Sequence, residues 1–522
     1  ENGNFITLTV EIATIHKDWT QIYDQEWADS VTSAYDSQDT FEISNAKELA
    51  AFRKLVDEGT NFENKTVTLT NDISLDNMKE GDSKGVRWWK SIGLVSGSTD
   101  HSFKGTFDGA GYTISDMVCV NAGSGGGLFS FTSGAAIRNL TVRGTSEAVG
   151  NIAGIVAVGE DTVIENCINY VTVTGKASST GAYSRYAGGI AASLTGNSVL
   201  RNCVNYGIIT DSDGVGGIAG NVASGGSITD CINMGSVVAM GTGQYGCGGI
   251  AGMTANLCIT RCANYSTVSG SDMYVGGITG VANGSAQTGN TIITDCYNVG
   301  IVRSSSLVSR SSLGGIAGYG NFFEVTNSYN AGKLMDVYGS VQHKGAFIGL
   351  DARKSTNYSD NVYYLDSTCE YAADNQEEAP VTAVAVSVTA EELAGDEFLA
   401  KLNKNGCFAT VNSKYPEFTT IPASDDDKIF AVYEKYGLET RKLVSEYRLQ
   451  DMYAIASSWP VVIWQYGTKG ESVVVSTVFD TIDDLAEGND IAFTEGDTLE
   501  VLMSGDPYTV DWNELQSCRY YV

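Results

Sequence analysis

Proline is almost missing from this sequence. The 522 residues hold 5, at positions 380, 416, 422, 460 and 507, so none falls in the first 379. A stack of parallel strands in which interior residues must donate hydrogen bonds excludes proline in this way. Basic charge is scarce as well. Against 62 acidic residues stand 32 lysines and arginines, a formal net charge of -30, which makes approach to phosphate repulsive and excludes nucleic-acid binding by charge neutralisation. Anionic membrane faces are disfavoured for the same reason. No apolar run reaches the length of about 18 residues that a spanning helix needs. Histidine occurs only at 16, 101 and 343, and no HExxH, phosphate-binding loop, GxSxG elbow, CxxC pair or Cys/His quartet is present.

What is abundant is glycine, with 60 residues, alongside 43% hydrophobic and 10% aromatic content. That balance is too apolar for disorder, and glycine without a three-residue period is not collagen. The length predicts two or three structural units. Residues 1–40 open with the alternating stretch Phe5 to Ile12, a strand signal and a candidate for pairing with a neighbouring subunit. Residues 41–420 form the main unit. Residues 421–522 begin with Asp425, Asp426 and Asp427 and read as a smaller α+β or β-rich accessory domain. Near the start of the main unit, Asn45 and Glu48 set a capping box before the apolar stripe Leu49, Phe52, Leu55 and Val56, with Gly59 as terminator. This predicts a helix that lids the first strand edge.

Between about 117 and 365 the sequence repeats itself. Each unit carries a glycine pair followed by Ile, then a short strand ending in Cys, then Asn two places on. The Cys column is Cys167, Cys203, Cys231, Cys262 and Cys296, with Ser328 in sixth place, at intervals of 36, 28, 31, 34 and 32. The Asn column is Asn169, Asn205, Asn233, Asn264, Asn298 and Asn330. The glycine pairs 188–189, 216–217, 248–249, 276–277 and 314–315 each precede an isoleucine. A period near 30 residues with no amphipathic helix excludes βαβ and leucine-rich architectures, and leaves one coil of a parallel β-helix per unit. Isoleucines should stack inside, cysteines should pack as small hydrophobes, and the asparagines suit a left-handed turn with amides bonded up and down the stack.

The runs Gly-Gly-Ile-Ala-Gly at 216–220, 248–252 and 314–318, with Asp-Cys-Ile-Asn at 230–233 and Asp-Cys-Tyr-Asn at 295–298, resemble the GLUG-motif repeats of secreted and surface-displayed bacterial proteins. The stretch from Phe103 to Ile114 looks like that family's first coil, and Val86 to Trp89 like its aromatic lead-in. Residues 389–418 look like its closing segment. The resemblance implies an all-β, right-handed parallel β-helix on a cell envelope, with adhesive or structural roles and no shared catalytic residues.

Chemistry-bearing groups are few. Gly241 to Gly246 satisfies GxGxxG but leads into a strand, which fails the context of a dinucleotide site. Asp230, Asp295 and Glu165 sit at the repeating position before the cysteines and read as coil design, Asp211-Ser212-Asp213-Gly214 is a fragment of a calcium loop, and His101 beside Asp100 reads as a surface histidine. Tyrosines are the functional lead. Tyr170, Tyr206, Tyr265, Tyr297 and Tyr329 flank the two columns, either as an exposed ribbon or as rings filling grooves between coils, while Tyr183, Tyr186 and Tyr245 lie in coil insertions as ligand or subunit contacts.

The expectation is therefore an extracellular cell-surface structural protein, not an enzyme, with no catalytic residue, cofactor or metal. It self-associates into an oligomer or filament and adheres. The alternatives are a monomeric adhesin for host or environmental glycan and, third, a polysaccharide lyase or glycoside hydrolase.

Overall fold

A computed structural model of the chain describes residues 22–75, 88–96, 99–121, 125–176 and 186–418 with short gaps, and four strands between 462 and 510. The gaps are 224, 288, 307–310, 353–356, 370, 374–384 and 411–414. The expected assembly strand 5–12, Tyr183 and most of the region 421–522 lie outside the described residues.

The main unit is a parallel β-solenoid. One wall is an eight-stranded sheet running from Phe129–Ser133 to Ile348–Asp351, and the remaining walls belong to a continuous 29-stranded sheet. Pairing between the repeat coils is parallel and in register: Ile232 faces Ala263 and Asn233 faces Asn264, and one coil further along the stack Ala263 faces Tyr297 and Asn264 faces Asn298. The matched residues of the sequence repeat thus become vertical files. Ile190, Ile218, Ile250, Ile278 and Ile316 are fully buried in one file, and their backbones are tied coil to coil at 2.9–3.0 Å. Each such side chain contributes roughly 1.5 to 3 kcal/mol by leaving water.

The asparagine file is a ladder inside the wall. Nδ2 of Asn169 donates to Oδ1 of Asn205 at 2.8 Å, and the pattern continues through Asn233, Asn264 and Asn298 to Asn330 at 2.7–2.8 Å. The second Nδ2 hydrogen goes to the carbonyl two residues on, as from Asn205 to Gly207 at 2.9 Å, and Asn205 Oδ1 also accepts the Gly207 N–H at 3.1 Å. All four bonding positions of that amide are filled, which is what permits a polar group at zero exposure. The glycine pair makes the room. A Cβ on Gly217 would stand 2.3 Å from the Asn233 amide, and one on Gly189 would stand 2.3 Å from Asn205 Oδ1. The two halves of the repeat are therefore one steric unit.

One local expectation is corrected. The left-handed turn is not made by the asparagine file but by the residue directly before each cysteine or its serine equivalent: Asn166, Asn202, Asp230, Arg261, Asp295 and Asn327 have φ between 49° and 55°. Short Asx side chains tolerate this region best, and they are enriched at this place in the sequence. Glu165 lies one residue earlier on the strand, facing Arg201 of the next coil.

Two caps flank the solenoid. Within residues 1–40, Gln25–Ala34 form helix α1, which buries Ala28 and Val31. The predicted lid is helix α2, Ala46–Asp57, with Asn45 Oδ1 accepting the N–H groups of Lys47 and Glu48 at 3.0 and 3.2 Å. The Glu48 carboxylate in turn accepts the Ser44 N–H at 2.6 Å. The apolar face of α2 lands on a phenylalanine cluster in which the Phe52 and Phe62 rings lie 5.0 Å apart and those of Phe103 and Phe129 5.4 Å apart. At the other end Ala385–Val388 pairs with Val362–Leu365. The segment then turns back along the outer wall through α3 (Ala390–Leu393), α4 (Asp396–Leu402) and the hairpin of Phe408–Thr410 with Pro416–Phe418. In the C-terminal region two antiparallel pairs are described, Val462–Tyr466 with Glu471–Val475 and Leu499–Met503 with Asp506–Val510.

Candidate ligand-contact surface

The tyrosines next to the cysteine and asparagine files point outward from the solenoid, but they do not form an exposed ribbon. Tyr206, Tyr297 and Tyr329 are at most 1% exposed. The folded-back segment covers the last two of these: Phe398, Leu402, Phe408 and Phe418 pack on Tyr297 and Tyr329, whose rings stack in parallel at 5.2 Å. Tyr329 donates its hydroxyl to the Pro416 carbonyl, and Tyr265 donates to the Glu417 carboxylate at 3.2 Å. Burial pushes all three hydroxyls, Tyr265, Tyr297 and Tyr329, well above the ordinary tyrosine range. On earlier coils Tyr170 and Tyr206 stack at 4.7 Å, with the Arg143 guanidinium 3.8 Å from the Tyr170 ring centre. The repeat placed these rings on one face, and packing removed that face from solvent.

A different wall carries the accessible aromatics. Tyr186 begins the strand Tyr186–Gly188, and coil-to-coil register continues its file through Gly214 and Gly246 to Tyr274. The side chain of Tyr186 covers Gly214, where a Cβ would lie 2.7 Å from Cδ1 of the ring. Tyr245, 38% exposed, immediately precedes Gly246. Tyr274 in turn lies 4.9 Å from Tyr319, centre to centre, with the rings tilted by 38°. Tyr319 belongs to the outward file of the eight-stranded sheet, between Val281 and Leu350. Burial, then the neighbouring Tyr319, raises the Tyr274 hydroxyl above its usual value. The structure thus brings Tyr274 and Tyr319 together, places Tyr245 one residue before the register partner of Tyr274 on the preceding coil, and leaves Tyr186 three coil steps from Tyr274, about 14 Å at 4.8 Å per step. Sequence reasoning passed over Tyr274 and Tyr319. Tyr274 stands two residues before its glycine pair, as Tyr186 does before its own, and that shared spacing was the signal.

The carboxylates are committed to the coils. Asp230 meets Arg261 of the next coil through two bonds of 2.6 Å. Asp295 accepts from Asn405 at 2.8 Å, tying the folded-back segment to the wall. Asp211 is 2% exposed, with Oδ1 on the Ser212 N–H at 2.6 Å. His101 does not face Asp100: its Nδ1 lies 2.5 Å from the Asp57 carbonyl, and Asp100 accepts the Ser102 N–H at 3.0 Å. Among the described residues no three His, Cys, Asp or Glu side chains converge on a metal position, and no helix is long and apolar enough to cross a membrane.

No family model matches the chain. Halomucin from Haloquadratum walsbyi is 26% identical over 204 residues, which cover 38% of this chain and 2% of halomucin. A solved structure from Bacteroides ovatus, assigned as an immunoglobulin A1 protease, shares 20% identity over 73% of this chain and 92% of its own, with a TM-score of 0.38. A second, named IgA1 protease, shares 15% identity over 90% of this chain and 34% of its own, with a TM-score of 0.42. The chain spans only a small part of halomucin. The likeness to the two structures is one of fold. Their names overturn the expectation that this chain is not an enzyme, and that expectation is withdrawn.

Proposed function

We propose that the chain is an extracellular β-helical module of a larger surface protein, with an adhesive role carried by the aromatic patch of Tyr245, Tyr274 and Tyr319. The observation behind this reading is the paired rings of Tyr274 and Tyr319 at the corner between two walls, with the exposed Tyr245 on the preceding coil, in contrast to the tyrosines the chain covers with its own segment. Flat rings held by a β-sheet suit the apolar face of a sugar or the side chains of a docking protein. The Gly-Gly-Ile-Ala-Gly runs support placing the chain with the GLUG-motif repeats, and the short match within halomucin supports a module in a much longer chain. The test is glycan-array binding of the full chain beside a Tyr245→Ala, Tyr274→Ala variant. Loss of at least tenfold in affinity with an unchanged melting temperature supports the patch; equal binding by both sinks it.

A second reading, self-association by strand addition, is favoured by a different observation. Leu334–Asp336 pairs with Val302–Ser304 on one side, and among the described residues no strand lies on its other side. Such an edge accepts an added strand, and residues 5–12 are the segment with the right alternation. Because α1 packs into the core, the informative deletion is 1–21 rather than 1–40. Sedimentation should show oligomers lost on that deletion with the solenoid still folded. Unchanged oligomers would exclude this strand.

A further inference from the structure

The cysteine file has no part in the surface just described. Cys167, Cys203, Cys231, Cys262 and Cys296 are fully buried free thiols on five successive coils. The residues on either side of each cysteine pair in register with those flanking the next, so Cys167, Cys203, Cys231, Cys262 and Cys296 stand one above the other along the stack. Each also reaches the carbonyl two residues back, at 3.2–3.4 Å. Leu140 precedes the file, and Ser328 and then Val362 follow it.

We propose that this file binds soft monovalent cations, copper(I) or silver(I), each held linearly between the sulfurs of neighbouring coils. Three arguments carry it. The zinc–thiolate bond of about 2.3 Å sets the scale: twice that is about 4.6 Å, and stacked strands repeat at about 4.7 to 4.9 Å, so side chains in register stand close to the span of a linear sulfur–metal–sulfur unit. A tetrahedral zinc site needs four converging ligands, whereas a linear ion needs two, and soft sulfur ligands select such ions.

Charge is the third argument. Each ion that enters displaces one thiol proton to solvent, so four ions leave one proton on five sulfurs and the buried file stays neutral, as a dry interior requires. Full burial means that loading takes place as the coils stack during folding.

The test refolds the full chain with silver(I), removes loosely held metal with a competing thiol and counts silver per chain by mass spectrometry. The background carries Cys258→Ser, Cys369→Ser, Cys407→Ser and Cys518→Ser, leaving the file intact. The stoichiometry expected is four ions. Adding Cys231→Val leaves two adjacent pairs and two ions, while Cys203→Val with Cys262→Val leaves only separated thiols and none. Valine is chosen because Val362 occupies the same file; a parallel serine series, the residue found at Ser328, serves if valine prevents folding. Equal silver in all three folded proteins, or none in the intact file, overturns the proposal.

Discussion

The inner and outer walls of the solenoid obey different rules. Inside, the same residue recurs at the same place on each coil, because each coil meets only copies of itself: Asn205 sees Asn169 and Asn233, and Ile250 sees Ile218 and Ile278. Outside, equivalent positions have different fates. Tyr297 is sealed under Phe408 and Phe418, while Tyr245 stands in solvent. Sequence periodicity reports on the inside and is silent about what the chain lays over the outside.

The sharpest way to break that contrast is to interrupt an inner file. Asn233→Leu strands the amides of Asn205 and Asn264 at zero exposure, and with unmet buried groups costing about 1 to 3 kcal/mol each a loss of about 3 to 5 kcal/mol is expected in urea denaturation. Gly217→Val should cost about 3 kcal/mol, since its Cβ would lie 2.2 Å from the Gly249 carbonyl and 2.3 Å from Asn233. On the outer wall, Phe418→Ala should cost about 3 kcal/mol and open the cover over Tyr297, read as new reactivity of tyrosine toward iodination.

An alkaline titration sharpens the comparison further. The hydroxyls of Tyr297 and Tyr329 are raised by burial, so the stability linked to them is complete below the ordinary tyrosine value of 10.0 and is lost as pH climbs through their folded values. Absorbance of tyrosinate should therefore show a late, cooperative step in the native chain, and Phe418→Ala should move that step to lower pH. A single early transition in both proteins would contradict the sealed face. Arg261→Asn should do least, within about 1 kcal/mol, because relief of a left-handed residue at φ 49° is offset by loss of the pair with Asp230.

Much of the inner architecture was legible: the Cys, Asn and Ile files, the solenoid they define and the capped helix α2 all followed from spacing. Three things were not. The left-handed position was assigned to the asparagines, when the mixed set Asn166, Asp230 and Arg261 holds it. The tyrosine ribbon was legible only as a choice between exposed rings and rings filling grooves between coils, because its cover, residues 385–418, meets it through contacts that no repeat encodes, such as Asn405 with Asp295. Tyr274 and Tyr319 come together only because neighbouring walls meet at a corner, a proximity that arises between coils rather than along the sequence.

The asparagine ladder also gives the rod an arrow. In all five amide-to-amide bonds the hydrogen points toward the higher-numbered coil, an orientation imposed locally, since each amide must also serve the backbone two residues on. The six small amide dipoles add instead of cancelling, leaving the Asn330 end electropositive and the Asn169 end electronegative. Two such rods laid end to end in the same sense continue one polarised line, whereas two that meet face to face bring like poles together.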